Sequence, residues 1–288
     1  NRVGIMDVAM GRSIVPDAGA LAAELSRQIA TRPELSKIAA PYLAIFLAQA
    51  PLEAAFSPPL LPEEEVRERL KRGAPALAPE DFRADLQALR GLWDEVCAIA
   101  AHHFPDLAQK FESIRHWPDG REDNLLSAAI YYLRGEADLL GEEAGLERAL
   151  FQFVLNNTLH PFLRRYAAAL APLVKLETWY RPYCPICGGE PDFAALDKPY
   201  GARRLLCSRC DFEWPFRRTS CPFCGNDNPE QYLYVPSEDG VYRLYLCDRC
   251  HRYLKVIDLR ELLEERLLPV ERILTLPMDQ AARGEGYE

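Results

Sequence analysis

The chain has 288 residues, 49% of them hydrophobic and 27% charged, with a formal net charge of −9. That length and apolar content can bury at least one sizeable core and are expected to divide into two domains, while the acidic balance argues against a nucleic-acid partner. The longest apolar run, Ile38 to Leu52, is interrupted by Pro41, Gln49 and Pro51, so direct insertion into a membrane is not expected. No secretory apolar core is visible near Asn1, which favours a reducing cytoplasm over an oxidising compartment.

The first 178 residues read as an all-α domain. Leu21, Leu25 and Ile29 form a stripe at helical spacing within Ala18 to Thr31, and Pro33 follows as a stop signal. A second helix is expected over Glu34 to Ala50. The breaker-rich Ser57 to Pro62 precedes an acidic helix start at Glu63, Glu64 and Glu65, and Gly73-Ala74-Pro75 ends that helix. Asp81 to Phe104 carries Leu86, Leu89, Leu92, Trp93, Val96, Ala100 and Phe104 as a broad apolar face. Further helices are expected over Asp123 to Arg134 and Leu146 to Leu170, the latter kinked or broken at Pro161. Cys97 reads as a small buried hydrophobe. His102, His103 and His116 lack the spacing of a zinc hydrolase. Asn156, Asn157 and His160 lie inside an apolar helix, where such groups satisfy one another by hydrogen bonding or meet a ligand. No catalytic residue is assigned.

Eight of the nine cysteines then follow as four Cys-x-x-Cys pairs: Cys184/Cys187, Cys207/Cys210, Cys221/Cys224 and Cys247/Cys250. Two such turns supply the four soft ligands of one tetrahedral site, so four pairs imply two metal ions. The pairs alternate in kind. The first and third read Cys-Pro-x-Cys-Gly, in which proline fixes φ and glycine permits positive φ, whereas the second and fourth read Cys-x-Arg-Cys. Upstream of the second and fourth pairs, Gly201 to Leu206 recurs as Gly240 to Leu246 with one residue inserted. A duplication of roughly forty residues follows.

Each copy would close on its own ion, with 19 residues between the pairs in the first and 22 in the second. Tyr232 to Val235, the turn Glu238-Asp239-Gly240 and Val241 to Leu246 read as a β-hairpin returning one knuckle to the other. Nested pairing, with the outer pairs sharing one ion and the inner pairs the other, is the alternative. Disulfides and redox-active Cys-x-x-Cys chemistry are weighed against metal; the size of the chain and the tandem arrangement favour metal. His251, beside Cys250, is expected to face solvent or support a ligand, because four cysteines already complete the site. Trp214 and Tyr253 follow matched knuckles and are expected to shield sulfur from water. Arg203, Arg204, Arg209, Arg217, Arg218, Arg243, Arg249 and Arg252 would either neutralise thiolates, read an acidic partner or form a solvated surface.

The runs Leu206 to Cys224 and Cys247 to Val256 resemble the matching stretches of the formate dehydrogenase accessory protein family, FdhE. The resemblance is specific in the cysteine region and looser elsewhere. It implies a cytoplasmic, non-catalytic factor for the maturation of formate dehydrogenase that binds the catalytic subunit, with iron favoured over zinc at the eight cysteines, and it implies no particular oligomeric state. The expected fold is multidomain α+β: an all-α domain over residues 1–178, rubredoxin-like or zinc-ribbon-like modules over 179–216 and 217–260, and a C-terminal helix and tail over 261–288. A zinc-ribbon nucleic-acid-binding protein and a rubredoxin-like electron carrier are the alternatives from other functional classes.

Overall fold

In a computed structural model, which describes residues 15–120, 124–143 and 145–288, the N-terminal part is helical. It comprises α1 (Ala18–Thr31), α2 (Ser36–Ala55), α3 (Glu63–Lys71), α4 (Leu86–His103), α5 (Ala108–Arg115), α6 (Asn124–Arg134), α7 (Ala137–Glu143) and α8 (Arg148–Leu170). Local chemistry sets several starts: Asp17 caps α1 by accepting from the Ala20 N–H, and Asp85 caps α4 by accepting from the Ala88 N–H. That cap places the start of α4 at Leu86 rather than Asp81, with Pro79–Asp81 forming a separate 3-10 turn. The short helices α5 and α7 have no counterpart in the sequence reading, and the expected start of α6 at Asp123 lies outside the described residues.

The expected end of the second helix at Ala50, before Pro51, is corrected, and of the kink or break expected at Pro161 the break is not found. The helix α2 runs through Pro41 and Pro51 to Ala55, and α8 continues through Pro161 without a break. Each proline removes one backbone hydrogen bond; Pro41 and Pro161 are buried, whereas Pro51 is exposed in the last turns of α2. With its preceding turn α2 spans Pro33–Ala55, 23 residues at a mean hydropathy of 1.4, long and apolar enough to cross a membrane. Here it packs against other elements of the chain, and its Gln49 and Glu53 are buried against Arg164 of α8.

The C-terminal part is one six-stranded sheet: β1 (Pro191–Leu196), β2 (Arg203–Cys207), β3 (Glu213–Phe216), β4 (Tyr232–Pro236), β5 (Tyr242–Cys247) and β6 (Arg252–Asp258), in the order β3-β2-β1-β6-β5-β4. Each copy of the duplication contributes an antiparallel three-stranded ribbon. The copies join head to tail through the only parallel pairing among the described residues, β1 on β6, with Phe193 opposite Lys255 and Leu196 opposite Asp258. Two helices follow, α9 (Leu268–Leu274) and α10 (Leu276–Gly284). Val270, Ile273 and Leu274 of α9 share a core with Leu21, Leu25 and Phe46 of the first two helices. A larger core runs from Trp93 and Phe162 in the helices to Cys184, Cys207 and Trp214 in the first ribbon.

Candidate metal centres

The local sequence of each knuckle dictates its turn. In the first, Gly188 at φ 73° donates its N–H to the Cys184 carbonyl, and the Cys184 N–H donates to the Gly189 carbonyl. In the third, Gly225 at φ 72° donates to Cys221 in the same way. Glycine is needed because an L side chain in this region is strained, and at Gly188 an added Cβ would also lie 2.9 Å from Pro75. The second and fourth knuckles make the same excursion without glycine: Asp211 has φ 56° and His251 has φ 54°. Aspartate and histidine are among the residues that tolerate this region best.

These turns gather the sulfurs of Cys184, Cys187, Cys207 and Cys210 into one group and those of Cys221, Cys224, Cys247 and Cys250 into another, each within 4.8 Å of one another. The grouping lies within each ribbon, so the nested alternative is not found. Sγ separations of 3.4 Å for Cys187–Cys207, 3.6 Å for Cys184–Cys210 and for Cys224–Cys247, and 3.8 Å for Cys221–Cys250 match the edge of about 3.8 Å that a tetrahedron of metal–sulfur bonds near 2.3 Å requires. They are far beyond the roughly 2.05 Å of a disulfide, and all nine cysteines are free. Each group could hold one metal ion, with no protein ligand beyond the four sulfurs needed.

The donor set also calls for a cation. In the first group burial pushes the Cys184 and Cys210 thiols well up. Burial acts on Cys187 in the same sense, yet the neighbouring thiols and Arg209 draw it well down. Four sulfurs this close cannot all ionise without a metal to carry the charge. Backbone N–H groups supply part of the compensation, from Ile186 to Cys184 Sγ and from Arg209 to Cys207 Sγ, each at 3.4 Å, while the Asn226 amide donates to Cys247 Sγ at 3.6 Å.

The two centres differ in their surroundings. In the first, no cysteine is more than 3% exposed. The helical part closes over it: the Ala76 and Leu77 N–H groups donate to the Pro185 and Ile186 carbonyls at 2.8 Å, and the Arg209 guanidinium lies 4.7 Å from the Tyr132 ring while donating to the Leu133 carbonyl. In the second, Cys221 and Cys247 are buried but Cys224 and Cys250 are half-exposed. Arg252 stacks on Phe223 at 3.7 Å and pairs with Glu190 of the first ribbon, and the Glu288 N–H donates to the His251 carbonyl.

A buried ionic cluster, not anticipated from the sequence, joins the first centre to the helices. Asp211, directly after Cys210, receives Arg272 of α9 at 2.9 Å and Arg164 of α8 at 3.4 Å, with His160 Nε2 at 3.1 Å. Burial would raise its carboxyl, but His160, Arg272 and Arg164 hold it below the usual carboxylate range. Arg164 continues to Glu53 at 2.8 Å and Gln49 at 2.7 Å. In the sequence Arg164 stands beside Arg165 in a helix that also carries Asn156, Asn157 and His160, so nothing local marked it as the buried partner.

The remaining expectations resolve individually. Cys97 is 2% exposed and burial pushes its thiol up to about 12. Asn156 accepts from the Tyr132 hydroxyl, and Asn157 donates to the Phe153 carbonyl. His251 is exposed and stands outside the second sulfur group. Trp214 is fully buried and donates to the Arg181 carbonyl, while Tyr253 donates to Asp279. Of the arginines, the Arg209 side chain helps draw down the Cys187 thiol, while Arg249 and Arg252 act on Cys247 and Cys250 through their backbone N–H groups; Arg203 is buried against the Tyr232 hydroxyl and the Ser220 carbonyl, and Arg243 pairs with Asp258.

No protein-family model matches the chain. A protein named FdhE homolog from Aquifex aeolicus is 27% identical over 232 residues, 79% of this chain and 76% of that protein. An FdhE homolog from Shewanella oneidensis is 32% identical over 108 residues, about a third of either protein (36% and 35%). The crystal structure of the FdhE protein from Pseudomonas aeruginosa matches the fold with a TM-score of 0.62 at 23% identity, covering 96% of this chain and 93% of that one. The resemblance to FdhE is therefore borne out over most of the chain in sequence and in fold.

Proposed function

We propose that this relative of the FdhE proteins is a cytoplasmic accessory factor for the maturation of formate dehydrogenase, which binds the catalytic subunit through a metal-stabilised surface and performs no catalysis itself. The eight cysteines would be the ligands of two ions, iron in preference to zinc. The observation that carries this reading is the pair of four-sulfur groups within one continuous sheet, each a complete tetrahedral donor set. A closed site of this kind shapes a surface or passes an electron; it does not activate water, which needs an open ligand position. We take the domain bounds as 1–178, 179–216 and 217–260, with 261–288 as a C-terminal segment whose α9 packs on the first two helices. Immobilised protein incubated with lysate from anaerobic, formate-grown cells is expected to retain the formate dehydrogenase catalytic subunit. Salt-sensitive retention of DNA or RNA in its place would overturn the proposal.

The half-exposed Cys224 and Cys250 favour a second reading, in which the outer centre exchanges electrons. A reversible one-electron wave from the iron-loaded protein, lost on replacing Cys224 and Cys250 by serine, would support it. Stoichiometric zinc without thiolate-to-iron charge-transfer absorption in freshly isolated protein would remove the iron assignment and this reading together.

A further inference from the structure

The head-to-tail joining of the ribbons leaves corresponding edges in opposite states. By their register on β2 and β5, Phe193, Ala194, Ala195 and Leu196 of β1 correspond to Leu233, Tyr234, Val235 and Pro236 of β4. The first set is fully buried because β6 pairs with it in parallel. In the second, Leu233, Tyr234 and Val235 are 49%, 50% and 54% exposed, and among the described residues no strand pairs with that side of β4.

The backbone of β4 is set for such a strand. The Asp248 N–H donates to the Gln231 carbonyl and the Ser237 N–H to the Tyr242 carbonyl, so the alternate residues between them, Leu233 and Val235, turn their peptide groups toward β5. The Tyr234 N–H and carbonyl and the Tyr232 and Pro236 carbonyls therefore face outward. In the first ribbon the carbonyl matching that of Pro236 belongs to Leu196, and it accepts the Leu259 N–H just beyond β6 at 3.0 Å. An exposed apolar edge is a template for pairing that soluble proteins ordinarily blunt. Here Pro236 limits the ladder to a short segment.

We propose that the open edge of β4 is a strand-addition site for an extended apolar segment of another polypeptide, entering parallel to β4 and carrying basic residues at its ends. The apolar character follows from the exposed Leu233 and Val235, and from the occupant of the matching edge, Lys255-Val256-Ile257-Asp258. The basic ends follow from charge: Asp227 and Glu230 precede the strand, Glu238 and Asp239 follow it, and all four are exposed. Main-chain hydrogen bonds would give affinity and alternate side chains selectivity. The opposite edge of the sheet is a poorer partner in a second copy, since β3 has four residues and Pro215 lies within it. The site does not depend on which protein supplies the segment.

The test uses the full, metal-loaded chain and a fluorescein-labelled synthetic peptide with the sequence of Arg252–Asp258 in which the final aspartate is replaced by lysine, so that both ends are basic. Saturable binding is expected, weakened by salt, with amide exchange at Tyr234 slowed about tenfold or more at saturation. Leu233→Lys and Val235→Lys, at exposed positions, are each expected to weaken binding about tenfold while metal content and the unfolding midpoint stay unchanged. Equal binding of a scrambled peptide, or no slowing at Tyr234, would overturn the proposal. Slow exchange at Tyr234 in the free monomer would mean that the chain fills its own edge, and slowing that tracks protein concentration without peptide would mean pairing between copies; either result also overturns it.

Discussion

Replacing Arg164 by methionine tests whether the ionic cluster couples α8 to α2 through Glu53. Methionine approximates the length of the side chain without its charge, so the change isolates the electrostatic part. Arg164 is 1% exposed and serves Glu53, Gln49 and Asp211 at once. After the substitution Asp211 keeps Arg272 at 2.9 Å, but the only remaining described contact of Glu53 is the Ala18 N–H, at 3.0 Å. Glu53 is 2% exposed, so the loss falls mainly on this carboxylate, which is left charged in a dry site. Removing one partner of a buried ion pair costs about 3–5 kcal/mol. With a urea dependence of about 3 kcal/mol per molar for a chain of this size, the unfolding midpoint should fall by about 1–1.7 M. Adding Glu53→Gln to Arg164→Met should recover most of the loss, because it removes the stranded charge. A shift below about 0.3 M for Arg164→Met, or a double variant less stable than the single, would refute the coupling.

Three further outcomes follow from the same geometry. Replacing Cys184 and Cys187 by serine should remove one metal per chain and leave the other, as metal analysis on purified protein would register; loss of both ions would contradict pairing within each ribbon. A chelator such as EDTA should release metal in two phases, the faster from the centre with the half-exposed Cys224 and Cys250; the Cys184/Cys187 double variant should retain only the fast phase, and a single phase from the parent would count against unequal centres. Burial pushes the Glu213 carboxyl from an ordinary 4.5 up to about 7 against the pull of Arg204. Its folded form then binds the proton more tightly than its unfolded form, so it favours the fold below about 4.5 and that contribution is lost as pH rises to about 7. Glu213→Gln should flatten the fall in stability across that window, and an unchanged pH profile would exclude the effect.

The two four-cysteine groups were legible because their determinants are local. A Cys-Pro-x-Cys-Gly knuckle carries its own turn, and the recurrence of Gly201 to Leu206 at Gly240 to Leu246 assigned the pairs to each other before any contact was known. The hairpin of β4 and β5 was legible for the same reason, with Gly240 at φ 71° in the expected turn. The joining of the ribbons was not, because the parallel pairing of β1 with β6 links residues some sixty positions apart and leaves no local mark. The prolines misled in the opposite direction. Pro51 signals a helix end and Pro161 a kink or break on local grounds, yet α2 runs on to Ala55 and α8 to Leu170, since one lost hydrogen bond is within what the rest of a packed helix can outweigh. Asp211 was passed over because a carboxylate after a knuckle looks solvent-facing until Arg164 and Arg272 are brought to it from other elements.

The matched positions Asp211 and His251 explain how duplicated ribbons came to differ without disturbing their sulfur geometry. Both residues hold nearly the same φ, 56° and 54°, so the backbone demand of the knuckle is met in each copy and the side chain is free to diverge. In the first ribbon the side chain turns into the helices and is charge-compensated there, which fixes that knuckle to α8 and α9. In the second it stands exposed, its ring 6.2 Å from that of Tyr287. The edges follow the same division: β1 is covered by β6, whereas the matching β4 leaves Leu233 and Val235 exposed. One ribbon is thus committed to internal contacts at both its knuckle and its edge, and the copy that retains an accessible centre also retains the accessible strand. Because β5 joins β4 to the knuckle of Cys247 and Cys250, a segment added to β4 would lie one strand away from a ligand pair of that centre. That places the open strand edge and the less buried four-sulfur group in the same half of the sheet.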